Sequence, residues 1–311
     1  MTDTSASMPA PSSSSATGPA SRGAGQSRFK GAGNYLALIP FLGYVGLFLV
    51  LPTLYVTFGA LQTQEGAFTL ENIIAMFTTE SFINSFIHSF QLAIITAIVG
   101  AVFGGLLAWA VVRGDPNGTL RQLVIAACGV LAQFGGVMLA FAFLATFGFN
   151  GLVTMFFTNN LGIDLKSNAT WLYSMAGLTA VYTLFQIPLM VIVFLPSLDG
   201  LRQEWYDASA SLGGGAWSFW RNVGGPILAP SFLGALLLLF TNAFSAYATA
   251  QALISQGCVL VTQQIACQIQ SEVVIGQENV GKALALGMIV VVSGIMGIYA
   301  MIQRRASRWV K

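Results

Sequence analysis

Six long apolar runs, at roughly 35–58, 88–112, 123–148, 171–196, 230–253 and 282–303, organise this chain. Each holds about 20 or more mostly apolar residues, enough for a helix to cross the hydrocarbon core of a bilayer. The pattern therefore predicts an all-α protein with six transmembrane helices. Between the fourth and fifth runs lies a long polar, glycine-rich interruption, Gln203 to Pro230, reading QEWYDASASLGGGAWSFWRNVGGPILAP. It opens with an acidic segment suited to a helix start, Glu204 to Ser211, and breaks at Gly213, Gly214 and Gly215. It resumes as the amphipathic AWSFWRNV and breaks again at Gly224, Gly225 and Pro226. Two short helices joined by a glycine turn are expected, with Pro226 stopping the second and redirecting the chain toward the fifth span.

The polar N-terminal stretch behaves differently. Residues 1 to about 27 are Ser, Ala, Pro, Thr and Gly with almost no large apolar side chain, too little to offset ordering entropy. They are expected to form a disordered cytoplasmic tail over 1–30, leaving 31–311 as the membrane domain with its loop at about 200–229. A signal peptide fits poorly, because the first apolar run begins near Tyr35, after Arg28 and Lys30, and is long enough to span.

Composition agrees with the pattern: 55% of the 311 residues are hydrophobic, 8% are charged and the mean hydropathy is +0.74, which excludes an ordinary soluble domain. A net charge of +2 gives no argument for nucleic acid or an acidic substrate. The placement of charge says more. Arg22, Arg28, Lys30, Arg113, Arg121, Arg202, Arg221, Arg304, Arg305, Arg308 and Lys311 fall on one side of the spans, against Lys166 and Lys282 on the other. By the positive-inside rule both termini and the Gln203–Pro230 loop are cytoplasmic. The outward loops carry Glu65, Glu71, Glu80, Asp164, Glu272 and Glu278, which either receive a cationic ligand or simply solvate the loops. Cys258 and Cys267 lie nine residues apart near the last outward loop, so a disulfide is open to them; Cys128 reads as a packing residue.

Candidate catalysis is thin. GQENVGKA, from Gly276 to Ala283, nearly spells a phosphate-binding loop. It has Ala283 where a magnesium-binding hydroxyl is required, and it lies at the outer end of a span rather than after a cytosolic strand. His88 is the only histidine and no Asp or Glu lies well inside a span, which argues against an intramembrane hydrolase and a proton-coupled carrier. No metal or cofactor site is expected. The polar residues in or at the edges of spans are uncharged: Gln133, Tyr182, Gln186, Asn242, Ser245, Tyr247 and Thr249. They either bond helix to helix or line a substrate path, for which Gln133, Gln186 and Asn242 are the candidates. Pro188 is expected to kink the fourth span.

The central loop resembles the cytoplasmic loop of ABC importer permeases, which has the form EAA, three residues, Gly, nine residues, then Ile, any residue, Leu, Pro. Asp207, Ala208, Ser209, Gly213, Val223, Gly225 and Pro226 occupy those positions without insertion, two spans from the C-terminus. Asp207, Ser209, Val223 and Gly225 depart from the pattern, and the last removes an apolar anchor. The segments GLLAWAVVRG, FGFNGLVT and QIPLMVIVFLPSLDGLRQEWYDASASLG are similar to permeases of the spermidine/putrescine group, which also covers iron, phosphonate and thiamine importers.

The resemblance implies a type I ABC importer-like fold and a non-catalytic permease in the plasma membrane of a prokaryote. ATP would be bound by two copies of a separate ATPase subunit, which the loop meets through Glu204, Asp207, Ala208, Ser209, Gly213, Val223 and Pro226. An extracytoplasmic solute-binding protein and a second permease subunit, identical or related, are the other implied partners. A small polar or charged solute would cross by alternating access. The rival classes are an ATP-independent carrier or channel and a structural membrane subunit.

Overall fold

The structure is a computed structural model that describes residues 39–63, 65–115, 118–161, 169–254, 257–270 and 278–306. The tail at 1–30 lies outside these residues, as do Asp164, Lys166, Glu272, Gly276, Arg308 and Lys311. The described residues are helical and contain no strand. By contacts the chain forms two units, 1–53 and 54–311.

Helix α1 runs Ile39–Ala60 and contains a wide π turn at Gly46–Val50. Within the first unit the rings of Tyr44 and Phe48 lie 4.8 Å apart, and Phe41, Leu42 and Leu49 are exposed.

The second unit contains α2 (Glu71–Thr78), α3 (Glu80–Arg113), α4 (Thr119–Gln133), α5 (Gly136–Phe147), α6 (Leu152–Leu161), α7 (Met175–Asp199), α8 (Gln203–Ser211), α9 (Ala216–Ser245), α10 (Ala248–Leu253), α11 (Val261–Gln270) and α12 (Glu278–Ala306). Six described stretches are long and apolar enough to cross a membrane, and the protein is a multi-pass membrane protein. At 34 residues, α3 is about 51 Å long and exceeds the hydrocarbon core.

The centre is α3 packed along α7 and α9. What brings them close is a row of small residues on α3: Ala93, Ala97, Gly100, Ala101, Gly104 and Ala108 are buried. A Cβ on Gly104 would come within 2.5 Å of Met190 Cβ and 2.6 Å of the Ile187 carbonyl, so the two backbones are nearly in contact. Beside that row, the outer flank of α3 carries Ile94, Ile98, Val102 and Leu106, all exposed. Small residues inward and bulky ones outward suit a lipid solvent, where close backbone packing rather than water exclusion holds helices together. Phe90, Phe240 and Phe244 form an aromatic cluster with centroids 5.1–5.9 Å apart. Within the second unit, Asn72 Nδ2 donates to the carbonyls of Ala60 and Gln62, and Asn279 Nδ2 also reaches Gln62, joining α2 and α12 to the segment at 60–62.

Three expectations need correction. The third span, expected as one helix over 123–148, is broken: α4 ends at Gln133 and α5 begins at Gly136, whose φ of +68° suits a residue without a Cβ. The fifth span, expected at 230–253, begins at Ala216 and breaks after Ser245. Most directly, Pro226 does not stop a helix. The chain stays helical from Ala216 to Ser245 because a π turn at Trp220–Gly224 takes up an extra residue just ahead of the proline. A widened turn leaves room where a proline ring would otherwise meet the preceding carbonyl.

Candidate coupling surface and translocation path

The loop between α7 and α9 folds into a helical hairpin. Helix α8 starts after Arg202 with Glu204 in its first turn, where a carboxylate complements the helix dipole. Gln203 Nε2 donates to Asp207 Oδ1 at 3.3 Å, one turn on, and Ser211 Oγ donates to the Asp207 carbonyl at 2.9 Å. The helix ends in a Schellman turn: Gly214 N–H bonds the Ser209 carbonyl and Gly213 N–H bonds that of Ala210, both at 2.9 Å. Gly213 has φ +80°, as the expected glycine turn requires.

The two helices meet through aromatic rings. Tyr206 packs edge-on to Phe219 with centroids 5.3 Å apart, and Phe219 is buried against Trp220 at 5.7 Å. Apolar side chains are left over at the tip, where Leu212 is 90% and Trp217 78% exposed. Glu204, Asp207, Ala208 and Pro226 are exposed, whereas Ser209 and Val223 are half-buried. Gly225, the departure from the leucine of the resembled pattern, has a local reason. Its N–H bonds the Trp220 carbonyl across the π turn, and a Cβ there would sit 2.5 Å from that oxygen.

The hairpin hangs from a braced frame. Arg121 Nη2 donates to Asp199 Oδ2 at 2.6 Å, tying the start of α4 to the end of α7. Arg113, the last residue of α3, stacks over the Trp109 ring at 4.0 Å.

The three path candidates fall in different places. Gln186 is fully buried, donates from Nε2 to the Leu239 carbonyl at 2.8 Å and packs on Gly100. It ties α7 to α9 and α3 and presents no surface in this conformation. Gln133 is exposed at the end of α4, and Asn242 is half-buried in the last turn of α9. Both therefore stand beside helix breaks. The breaks at Phe134–Gly135 and at Ala246–Tyr247 are joined: Thr249 Oγ1 donates to the Gly136 carbonyl at 3.1 Å, and Tyr182 Oη to the Ala246 carbonyl at 2.9 Å. Irregular backbone at membrane depth persists where neighbouring side chains satisfy its polar groups, as these hydroxyls do. Tyr182 and Thr249 thus follow the helix-bonding alternative. The paired breaks themselves were missed by sequence reasoning; Gly135–Gly136 inside an apolar run was the available signal for one, and Ala246–Tyr247 offered none.

Beyond the second break, Tyr247, Gln251 and Gln270 line a small cavity of 260 Å³. Cys267 on its wall is bonded to Cys258, with Cα atoms 6.7 Å apart, so the disulfide left open by the sequence is formed. Ser85 Oγ donates to the Cys258 carbonyl and Val261 N–H to Ser89 Oγ, anchoring the stapled segment on α3. Cys128 is buried, as a packing residue should be.

A scan against protein-family models and a search of curated proteins find no match. Solved structures do match. One is a bacterial ABC transporter involved in the import of the acidic polysaccharide alginate, at TM-score 0.69 and 14% identity, covering 89% of this chain and 96% of that one. Another is a bacterial alginate ABC transporter in complex with alginate pentasaccharide-bound periplasmic protein, at TM-score 0.68 and 15% identity, covering 89% and 95%. At these identities the likeness establishes architecture: the chain is an all-α membrane protein with six apolar spans and the fold of an ABC importer's transmembrane subunit.

Proposed function

We propose that the chain is the permease subunit of an ATP-driven solute importer in a prokaryotic plasma membrane, coupled to a separate ATPase through the α8–α9 hairpin. One observation carries the reading. The segment whose spacing resembles the ATPase-docking loop is a rigid hairpin at the arginine-rich end of the spans, with Leu212 and Trp217 projecting from its tip. Exposed leucine and tryptophan at a braced tip suit insertion into a partner's groove, while Glu204 and Asp207 offer charge to basic partner residues.

In this reading Ala208, Ser209, Val223 and Pro226 shape the hairpin and Gly213 permits its turn. The chain hydrolyses nothing and holds no cofactor; ATP is bound by two copies of the partner. Closure of the ATPase pair pushes on the hairpins, and α9, continuous with the second limb, carries the movement into the membrane together with α7, which a three-residue turn at 200–202 joins to the first. Alternating access follows from the bias that ATP binding places on two packings. A second permease, identical or related, completes the path, and an extracytoplasmic binding protein delivers the solute. The solute is small and polar or charged, of the polyamine, iron or phosphonate type. Gln133 and Asn242, beside the helix breaks, are the proposed contacts, and Gln186 is the packing support behind them.

Uptake into membrane vesicles decides the matter. Uptake should need ATP and be abolished, with loss of the co-purifying ATPase, by Asp207→Lys or Gly213→Asp. Uptake that persists without ATP under an ion gradient would instead establish a secondary carrier.

A further inference from the structure

Two adjoining cavities at the arginine-rich end of the spans have complementary chemistry. The first, of 490 Å³, is an apolar groove between α3, α7 and α9, lined by Val102, Gly105, Phe194, Leu228 and Phe232. The second, of 420 Å³, lies nearer the hairpin and is lined by Arg113, Arg202, Gln203 and Tyr206 among others. Trp109, Leu198 and Trp220 line both, so the apolar groove and the polar pocket are immediate neighbours.

The polar pocket carries cationic charge. The Arg113 guanidinium lies over Trp109 at 4.0 Å, and no described carboxylate forms an ion pair with Arg202. Four acidic residues stand close in sequence to the two arginines, and Asp115, just after α3, is exposed. Asp199 is held by Arg121 at 2.6 Å, Asp207 accepts from Gln203, and Glu204 is exposed on α8. Trp109, Trp220 and Tyr206 give the pocket the amphipathic aromatic rim found at the membrane–water boundary. A dry slot leading up into the hydrocarbon from a two-arginine pocket at the cytoplasmic boundary matches one class of molecule in both halves.

We propose that this composite cavity binds an anionic glycerophospholipid of the cytoplasmic leaflet, its phosphate between Arg113 and Arg202 and an acyl chain in the Val102–Phe232 groove. The pairing follows from charge: cytoplasmic leaflets are rich in anionic lipids, and each nearby arginine strengthens their binding about fivefold. The bound lipid packs against Tyr206 and Trp220, the rings that hold the hairpin together, so leaflet composition bears on the hairpin's rigidity. The proposal stands apart from the importer reading, since it uses neither ATP nor solute.

The test is lipid retention by the full chain, purified in mild detergent and followed by native mass spectrometry. Phosphatidylglycerol and phosphatidylcholine with identical acyl chains are compared, with inorganic phosphate as competitor. The wild type should retain phosphatidylglycerol preferentially. The double variant Arg113→Gln/Arg202→Gln should lose roughly thirtyfold in phosphatidylglycerol binding and much less in phosphatidylcholine binding, whose phosphate charge is offset by its own choline, so that the preference disappears. Arg113→Lys/Arg202→Lys should keep the preference, and Val102→Trp, which fills the groove, should weaken both lipids. Equal retention of the two lipids by the wild type, or an unchanged preference in the Gln variant, overturns the proposal. So does complete displacement by inorganic phosphate together with normal retention in Val102→Trp, which would reveal a pocket for free anions only.

Discussion

Restoring the leucine of the resembled pattern at position 225 should harm this protein. A Cβ at Gly225 would stand 2.5 Å from the Trp220 carbonyl oxygen, about 0.9 Å inside ordinary contact. One escape is to pull the π turn open, which breaks the Gly225 N–H bond to Trp220 at a cost of about 1 kcal/mol. The distortion adds about 1–2 kcal/mol more, as other overpacked sites do. The other escape is to drop the extra residue and continue as a regular α-helix. That rotates everything downstream by about 100° and turns the buried Leu228, Ala235, Leu239 and Phe240 off the core. The first route is cheaper, so Gly225→Leu and Gly225→Ala should each destabilise by about 2–3 kcal/mol, a fall of several degrees in Tm. Pro226→Ala is the control. Its side chain is exposed and it follows the widened turn, so its effect should stay within about 0.5 kcal/mol. Thermal unfolding of the purified protein in detergent, followed by tryptophan fluorescence, reads all three. Gly225→Leu melting with the wild type would refute the reasoning and show that the turn is not fixed by its glycine.

Gly213→Val, at φ +80° with open space around it, should cost about 1–2 kcal/mol through backbone strain alone, while Gly213→Asn recovers most of it; chemical denaturation compares them. Trp217→Ala removes a side chain that is 78% exposed, so Tm should hold while co-purification of the ATPase drops; a lower Tm with ATPase retained would contradict the docking role. Cys258→Ser should lower stability by about 2.5 kcal/mol, the chain entropy of a nine-residue closure, with the same loss when the wild type is reduced. Gly104→Leu forces a side chain against Met190 Cβ and the Ile187 carbonyl, and should abolish recovery of monodisperse protein in gel filtration.

The hairpin shows how far residues could be read without coordinates. Its glycine turn at Gly213, its acidic first turn and its position between two spans all followed from local rules, because capping and positive φ are properties of a few adjacent residues. Pro226 and Gly225 misled. A proline after two glycines reads as a stop, and only the turn geometry around Trp220 shows helix continuing through it. The path candidates divided for a similar reason. Gln133, Gln186 and Asn242 are alike as polar residues in apolar runs, yet Gln186 faces Gly100 and Leu239 whereas the other two flank helix breaks.

By itself the sequence determined that this is a helical membrane protein with six apolar spans, at which end of them arginine collects and where its polar hairpin lies. Those properties depend on run length, summed hydropathy and counts of arginine, all additive along the chain. Tertiary structure decided the rest. That Thr249 would satisfy Gly136 and Tyr182 would satisfy Ala246 depends on partners 113 and 64 residues away. Likewise, the meeting of an apolar groove with Arg113 and Arg202 depends on how three helix ends converge. A hydrogen bond or a cavity belongs to pairs and triples of distant residues, and the order of residues alone does not encode their distances.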